Sequence, residues 1–239
     1  MERRLAILGA CGALGRALAV RAAAEGWAVT ALDLPASLAA HPPAGPARAL
    51  DLFDAGSVSA AFTGLGPLDG FVNLAGFMTP RRPLEETAET AFDEAMGGNL
   101  RGAFLAAKAA LPLLRPRRGA MVNIVSGLAA QARPGFGPYA AAKAGMVSLT
   151  KTLALEAAPE VRVNAVGPSA VETPFLTGGT GRAAAPAPDL DLAAYARATP
   201  LARLATPEDV AGPILFLLGP DSAFMTGQVL WVNGGGYMP

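Results

Sequence analysis

The stretch of sequence that decides the fold is Leu5-Ala6-Ile7-Leu8-Gly9-Ala10-Cys11-Gly12-Ala13-Leu14-Gly15. Its first four residues are an apolar run, which is typical of a buried parallel strand. Glycines follow at once, and residues 14–25 then have a helical pattern that stops at Gly26. Because glycine tolerates sharp backbone turns, this order predicts a strand, a tight turn and a helix.

Strand and helix patterns alternate along the rest of the chain. Apolar runs predict six further strands, at Trp27–Leu32, Ala47–Leu50, Gly70–Leu74, Ala120–Val125, Val161–Val166 and Gln228–Val232. Helical patterns cover Glu89–Leu114, Tyr139–Ala157 and Pro207–Leu218. The proline-rich segment between Asp33 and Asp51 predicts a loop or one helical turn. We expect a single Rossmann-like α/β domain over residues 1–239, with a doubly wound parallel sheet of about seven strands and helices on both faces.

Composition agrees with a folded domain and excludes several classes of protein. Apolar residues make up 52% of the chain, and basic and acidic residues number 19 each. This balance gives no reason to expect binding to nucleic acid or to an anionic membrane. The single Cys11 and the single His41 exclude a disulfide framework, a His-dependent triad and a multi-histidine metal site, so we expect no metal. No apolar run approaches the ~18 residues of a membrane span, and we expect a cytoplasmic protein.

The glycine turn and the next strand together predict a dinucleotide site. Glycines at such a turn let the backbone approach a pyrophosphate, whose charge the helix N-terminus stabilises. Asp33 follows 18 residues after Gly15, at the end of the second predicted strand. A carboxylate there can accept hydrogen bonds from the ribose of NAD and would repel the 2′-phosphate of NADP. The pattern predicts NAD(H), with NADP(H) as the less favoured alternative.

Tyr139 and Lys143 are the residues that point to chemistry, together with Ser126 upstream. Positions four apart lie on the same face of a helix, so the Lys143 ammonium can lie beside the Tyr139 phenol. A Tyr has an ordinary pKa of about 10, and acid–base work near neutral pH asks for a decrease of roughly 3 units. We expect Lys143 and an oxidised nicotinamide to supply it. The alternative is a surface helix that carries the two residues by chance.

The motifs, taken in order, resemble the short-chain dehydrogenase/reductase family over nearly the whole chain. The matching features are the glycine turn, Asp33, Asp51-Leu52, Asn73-Leu74-Ala75-Gly76, Asn99, Ser126, Tyr139 with Lys143, Asn164-Ala165-Val166-Gly167-Pro168, and the closing residues 227–235. Leu8, Ala13 and Ser169 depart from the residues usual in the family, and Gly12 carries the middle glycine instead. The chain therefore resembles the ordinary single-domain branch with an atypical glycine motif.

The resemblance implies a role for each matching residue. The implied catalytic set is Asn99, Ser126, Tyr139 and Lys143, with Tyr139 exchanging a proton with the substrate oxygen, Ser126 hydrogen-bonding that oxygen and Asn99 holding a water that joins Lys143 to solvent. The implied cofactor-binding residues are Gly9, Gly12, Leu14, Gly15, Asp33, Asp51, Leu52, Asn73, Ala75, Gly76, Tyr139, Lys143, Pro168, Val171 and Thr173.

Three hypotheses for function follow. The first is an NAD(H)-dependent oxidoreductase that interconverts a secondary alcohol and a ketone. The second is an NADPH-dependent reductase of 3-oxoacyl or pteridine-like substrates, and the third is a nucleotide-binding module without catalysis. By resemblance, we also expect a homo-oligomer, either a dimer or a tetramer.

The substrate pocket is expected to combine loop residues with a flap around residues 172–205. The expected lining is Phe77, Met78, Gly127, Leu128, Gln131, Phe136, Phe175, Leu176 and Tyr195. Glycines at Gly178, Gly179 and Gly181 would permit the flap to close, and Arg182–Asp189 reads as irregular. The substrate itself is a small molecule that the sequence does not identify.

Overall fold

The computed structural model describes residues 2–177 and 191–239. The strands are β1 Arg3–Leu8, β2 Trp27–Asp33, β3 Ala47–Ala49, β4 Gly70–Asn73, β5 Ala120–Ile124, β6 Arg162–Pro168 and β7 Val229–Val232. They form one sheet in the order β3-β2-β1-β4-β5-β6-β7, in which every neighbouring pair is parallel. The sheet grows from β1 to one side, and β4 then starts the other side. The predicted doubly wound, single-domain α/β fold is therefore confirmed.

The described helices connect these strands as crossovers. They are α1 Ala13–Ala24, α2 Pro35–Ala40, α3 Ala55–Phe62, α4 Glu89–Ala95, α5 Gly102–Leu114, α6 Gly137–Ala157, α7 Leu192–Ala198 and α8 Pro207–Leu218. Side chains of α1 and α8, such as Leu18 and Ile214, pack on one face of the sheet. Side chains of α3, α5 and α6, such as Phe62, Leu114 and Leu153, pack on the other. Two covered faces explain why the strands are nearly continuous apolar runs.

The long helix predicted over Glu89–Leu114 is interrupted in the structure. A π-helical segment, Met96–Arg101, separates α4 from α5. Such a turn inserts extra backbone into a helix, and hydrophobic periodicity alone does not reveal it. The interruption matters for the site because Asn99 lies within it.

Two further elements differ from the sequence-based expectation. The segment after Asp33 forms the six-residue helix α2, which begins at Pro35, and this is longer than the predicted loop or single turn. Proline at the first helical position has a backbone angle that favours helix initiation. Helix α3 was not predicted, although Asp54 caps it by accepting a hydrogen bond of 2.7 Å from the Gly56 N–H.

The expected flap is described only in part. Residues 174–177 form a short 3₁₀ turn, and α7 covers Leu192–Ala198. The predicted glycine hinge at Gly178, Gly179 and Gly181, and the irregular stretch Arg182–Asp189, lie outside the described residues. The described helices include none with the length and apolar character of a membrane span.

The turn between β1 and α1 is packed backbone against backbone. Gly9 has a φ of +83°, and a Cβ there would lie 2.9 Å from the Ala75 nitrogen, in the loop after β4. A Cβ on Gly15 would lie 2.2 Å from the Gly9 carbonyl oxygen and 2.6 Å from the Ala10 Cα. The turn after β1, the start of α1 and the loop after β4 therefore lie so close together that Gly9 and Gly15 have no room for a side chain.

We expect the substitution Gly15→Ala to destabilise the protein without added dinucleotide by about 1–3 kcal/mol, because the new methyl group overlaps fixed backbone. The control is Gly212→Ala in α8, where a Cβ meets only the end of the flexible Arg21 side chain, at 2.9 Å. That change should be neutral or stabilising by up to about 1 kcal/mol, because alanine favours helix. Urea unfolding measures both free energies, and equal losses would contradict the packing described for Gly15.

Candidate active site

One continuous pocket lies along the carboxyl ends of the strands, where ligands bind in doubly wound sheets. Of the residues predicted to bind a cofactor, all but Asn73 line it: Gly9, Gly12, Leu14, Gly15, Asp33, Asp51, Leu52, Ala75, Gly76, Tyr139, Lys143, Pro168, Val171 and Thr173. Asn73 lies behind the pocket wall, where its Oδ1 accepts a hydrogen bond of 3.2 Å from the Ala75 N–H. It shapes the loop instead of facing the pocket.

The middle glycine of the turn has free space in front of it. Gly12 has a φ of −66°. A Cβ there, unlike one at Gly9 or Gly15, would meet only the Gly9 carbonyl oxygen, at 3.5 Å, among the described residues. No contact with residues 2–177 or 191–239 therefore requires glycine at this position. Gly12 also starts α1 without a side-chain cap, so the first N–H groups of this twelve-residue helix have no side-chain acceptor. Open space before uncapped N–H groups fits a phosphate group that approaches the backbone closely.

Asp33 lies at the end of β2, beside this turn. Its Oδ2 accepts a hydrogen bond of 2.8 Å from the Cys11 N–H, and its Oδ1 accepts one of 2.8 Å from the Leu34 N–H. The carboxylate is held in place by the backbone, and it still has lone pairs free for hydroxyl donors.

Burial first, and the Asp33 carboxylate second, raise the pKa of the Cys11 thiol to about 11, which keeps this thiol protonated near neutral pH.

Tyr139 and Lys143 lie in the same pocket, one turn apart on α6. Both side chains are buried, and the Lys143 Nζ lies 5.7 Å from the centre of the Tyr139 ring. Nζ also donates a hydrogen bond of 2.9 Å to the carbonyl oxygen of Ile124, the last residue of β5. Burial lowers the pKa of Lys143 to about 8.

In the protein without dinucleotide, the pKa of the Tyr139 phenol is raised. Burial raises its pKa above the ordinary value of 10, and an interaction with the Ser126 side chain opposes that rise in part. Lys143 is not among the causes of the shift in the protein alone. The expected decrease therefore stays a prediction for a complex that carries an oxidised nicotinamide, whose positive charge would favour the phenolate.

Asn99 does not line the pocket but supports the loop that does. From the π-helical segment its Oδ1 accepts a hydrogen bond of 3.1 Å from the Phe77 N–H, and its Nδ2 donates to the carbonyl oxygens of Phe77 and Ala95. A Cβ on Gly76 would lie 2.6 Å from the Asn99 Oδ1 and 3.2 Å from the Lys143 Nζ. The side chains of Asn99 and Lys143 thus both approach Gly76 closely. The predicted water between Lys143 and solvent stays untested.

The other end of the pocket is largely apolar. All residues expected to line it do so: Phe77, Met78, Gly127, Leu128, Gln131, Phe136, Phe175, Leu176 and Tyr195. The Phe175 ring lies 6.3 Å from the Tyr139 ring, centre to centre. Sequence reasoning missed Phe53, Arg133 and Tyr237, which also line the pocket. Leu192 lines it as well, from within the expected flap. All three tyrosines of the chain, Tyr139, Tyr195 and Tyr237, line this pocket. The scarcity of tyrosine was therefore a signal in the sequence that could have pointed to Tyr237.

Metal chemistry has no visible basis in the described parts of the chain. Across residues 2–177 and 191–239, no group of three or more His, Cys, Asp or Glu side chains is placed to hold a metal ion.

Comparisons with known proteins agree with this geometry. A protein-family model described as enoyl-(acyl carrier protein) reductase matches residues 9–237. The 4-formylbenzenesulfonate dehydrogenase of Comamonas testosteroni is 38% identical over 180 residues, which are 74% of this chain and 70% of that protein. The cis-4-hydroxycyclohexanecarboxylate dehydrogenase of Sinomonas cyclohexanicum is 35% identical over 98% of this chain and 96% of its own length. For other relatives the matched share of their own length is smaller, at 66%, 59% and 43%.

Solved structures extend the likeness to three dimensions. The crystal structure of a 3-oxoacyl-(acyl carrier protein) reductase with bound NAD from Brucella melitensis matches with a TM-score of 0.86 at 32% identity. The match covers 100% of this chain and 92% of that one.

We expect Lys143 to make stability depend on pH. Its pKa is lowered from 10.5 to about 8, so between these values the unfolded chain holds a proton that the folded protein has released. The free energy of unfolding therefore gains a contribution that rises with pH from about pH 8 to 10. Above about pH 10, Tyr139 lowers the free energy of unfolding as the pH rises. The reason is that the unfolded chain then loses a phenol proton that the folded protein keeps.

Urea unfolding between about pH 8 and 10, without dinucleotide, measures this contribution. In Lys143→Met the free energy of unfolding should lack this rise. The difference in unfolding free energy between the variant and wild type should therefore change with pH. Lys151→Met, at an exposed position of the same helix, is the control and should run parallel to wild type. A pH-independent difference for Lys143→Met would contradict the lowered pKa.

Proposed function

The chain belongs to the short-chain dehydrogenase/reductase family, and on this premise we propose that it is an NAD(H)-dependent oxidoreductase that interconverts a secondary alcohol and a ketone. One observation carries the proposal. Tyr139, Lys143 and Ser126 line the same continuous pocket as the glycine turn and Asp33. Acid–base groups and a fitted dinucleotide cradle within one cavity are what hydride transfer at a carbinol carbon requires.

A bound nicotinamide would accept the hydride from the carbinol carbon or return it to the carbonyl carbon. The residues of the chain would handle the proton. In alcohol oxidation the Tyr139 oxygen takes the hydroxyl proton, and in ketone reduction it returns that proton to the carbonyl oxygen. Ser126 would donate a hydrogen bond to the same oxygen, where negative charge develops. Lys143, with a pKa of about 8, can carry charge beside the phenol near neutral pH.

The preference for NAD(H) rests on the charge at the end of β2. A carboxylate at Asp33 would accept hydrogen bonds from ribose hydroxyls and repel a 2′-phosphate. Arg16 is the nearby cation that could offset this repulsion, and its guanidinium donates a hydrogen bond to the Cys11 carbonyl oxygen. That contact supports the turn itself, so we infer that Asp33 sets the choice of cofactor.

The second candidate is a reductase of 3-oxoacyl substrates. It is favoured by the likeness to the Brucella melitensis 3-oxoacyl-(acyl carrier protein) reductase, which was solved with bound NAD. We rank it second because two relatives named as dehydrogenases of small cyclic compounds match at comparable identity. The chemistry at Tyr139 is the same in both candidates. They differ in the substrate and, for a reductase that depends on NADPH, in the cofactor.

We also propose that the protein is a homo-oligomer. The support is an apolar groove between α4, α5 and α6, lined by Met96, Gly97, Leu100, Phe104 and Leu149, with Asp93 and Arg101 at its sides. The Phe104 side chain is 47% exposed in the single chain. Apolar surface of this kind is commonly covered by a partner.

We expect Tyr139→Phe to lower kcat/KM by at least about 100-fold, the usual contribution of an acid–base group. The variant lacks only the hydroxyl, so its Kd for NADH should stay within about threefold of wild type, since that hydroxyl supplies at most one hydrogen bond to the ribose. Assays with a panel of alcohols and NAD, and of ketones and NADH, measure kcat/KM. Quenching of protein fluorescence measures the Kd for NADH. Undiminished turnover would contradict the mechanism, whereas tight NADH binding without turnover by wild type would favour a non-catalytic nucleotide-binding module.

We expect NADH to bind at least about tenfold more tightly than NADPH, which corresponds to about 1.4 kcal/mol. Asp33→Asn keeps the size of the side chain and removes its charge, so the ratio of the two Kd values should narrow. Asp51→Asn, which removes a charge elsewhere in the pocket, is the matched control and should narrow the ratio less. Paired titrations measure these ratios, and a preference of wild type for NADPH would overturn the assignment of the cofactor.

A further inference from the structure

A charged side chain lines the substrate end of the pocket. Arg133 belongs to the loop between Ser126 and Tyr139, and it lines the same cavity as both of them. The other charged residues among the described lining are two aspartates at the dinucleotide end and Lys143 beside Tyr139. The dinucleotide and the proposed chemistry account for those three, and they leave Arg133 without a role.

The guanidinium of Arg133 is held at the pocket from two sides. It lies over the ring of Tyr195 in α7, with 5.3 Å between its Cζ and the ring centre. Its Nη2 also donates a hydrogen bond of 3.4 Å to the Gln131 Oε1. Tyr195 and Gln131 both line the pocket themselves. A guanidinium that is already stacked and hydrogen-bonded loses less freedom when a ligand binds it.

The charge of this guanidinium has no acidic partner in the described parts of the chain. None of the salt bridges within residues 2–177 and 191–239 includes Arg133, and its hydrogen bond to Gln131 is to a neutral amide. The Arg133 side chain is exposed in the protein alone, so a ligand can reach it. A guanidinium carries five N–H donors in a planar fork that matches the two oxygens of a carboxylate. Charge and donors are therefore available to an anion that enters the pocket.

The remaining lining of this end sets where such an anion can lie. It is mainly apolar, and it includes Leu128, Phe136 and Phe175. An anion placed against apolar side chains loses its hydration without compensation, so it is stable only beside a cation. A fitting ligand has its reacting oxygen at Tyr139, an apolar body against the apolar lining, and its charged group at Arg133.

We propose that Arg133 is a specificity-determining residue, which binds an anionic substituent of the substrate remote from the carbinol carbon, with a carboxylate as the fitting group. The inference rests on the proposed function and narrows its substrate class to secondary alcohols and ketones that carry such a group. The anion takes no part in hydride transfer, so Arg133 acts on binding. Charge-assisted, bidentate hydrogen bonds of this kind distinguish a carboxylate from a neutral group of the same shape.

The test compares carboxylates with their carboxamides, which have the same shape without the charge. The alcohols are 3- and 4-hydroxycyclohexanecarboxylate and 4-(1-hydroxyethyl)benzoate, each with its carboxamide, in oxidation by NAD. In wild type, kcat/KM for the best carboxylate should exceed that for its carboxamide by at least about fivefold, the upper range for an exposed ion pair. The difference should lie mainly in KM, because the contact is the same in the ground state and the transition state.

Variants of Arg133 assign this preference to its charge. Arg133→Gln keeps a polar side chain and should bring the ratio of the two kcat/KM values to within about twofold of one, since no ion pair is left. Arg133→Lys keeps the charge without the planar fork, and it should retain part of the preference.

Arg82 supplies the matched control for the general effect of positive charge. Its N–H donates a hydrogen bond of 3.1 Å to the Gly135 carbonyl oxygen, in the same loop as Arg133, but Arg82 does not line the pocket. Arg82→Gln should leave the ratio within about twofold of wild type, as expected for a charge that touches no substrate. A wild-type ratio below about fivefold for every pair, or equal decreases in Arg82→Gln and Arg133→Gln, overturns the proposal.

A binding measurement separates this inference from the proposed function. A ketone and NAD cannot react with each other, so calorimetric titration of the NAD-loaded protein measures binding without turnover. Wild type should bind 4-acetylbenzoate or 4-oxocyclohexanecarboxylate more tightly than the matching carboxamide, and Arg133→Gln should lose this difference. If no alcohol is oxidised, the proposed function fails, while charge-dependent binding still supports the role of Arg133. Turnover without a preference for carboxylates, or no binding of any ketone, overturns that role.

The second candidate function offers a different anion, the phosphate of the prosthetic group on an acyl carrier protein. Reduction of acetoacetyl-(acyl carrier protein) by NADH tests it in the same variants. If Arg133→Gln slows this reaction but leaves the ratio of carboxylate to carboxamide unchanged, the guanidinium serves the carrier, and the proposal is overturned.

Discussion

The rest of the structure depends on the contact of three backbone segments at the centre of the sheet. The turn after β1, the start of α1 and the loop after β4 meet at distances that exclude side chains at Gly9 and Gly15. This contact brings the two halves of the sheet together at the point where strand order reverses, and it leaves space in front of Gly12. A crevice with room for a phosphate therefore follows from the way the fold is closed.

Burial governs the chemistry at the other end of the crevice. Lys143 and Tyr139 are both removed from solvent, and each is thereby shifted toward its neutral form. The pair is thus sensitive to any positive charge that enters beside it, because burial leaves little water to screen that charge. The hydrogen bond from Lys143 to Ile124 fixes the amine to the end of β5, so the two groups keep their spacing.

Sequence reasoning recovered the elements that have strong local signals. The sheet was predictable because buried strands read as apolar runs, and α8 has its predicted bounds, Pro207–Leu218, because Thr206 and Asp209 form a capping box. Helix α3 was missed because eight residues rich in Ala, Gly and Ser carry little periodicity. The pocket position of Tyr237 depends on the fold-back by Asn233, a contact that no local pattern encodes. The titration of Tyr139 could not be predicted either, since burial depends on the whole fold.

The π-helical segment has an effect on the outer surface as well. Phe92 and Phe104 are 42% and 47% exposed. Around an uninterrupted helix, twelve residues would place them about 120° apart, but a π turn that absorbs one residue reduces this angle to about 20°. By this geometry, the irregularity that holds Asn99 inside also brings the positions of Phe92 and Phe104 to nearly the same side of the helix. Deletion of one residue between Phe92 and Phe104 would change both their relative direction and the direction of the Asn99 side chain. The two features therefore depend on the same π turn.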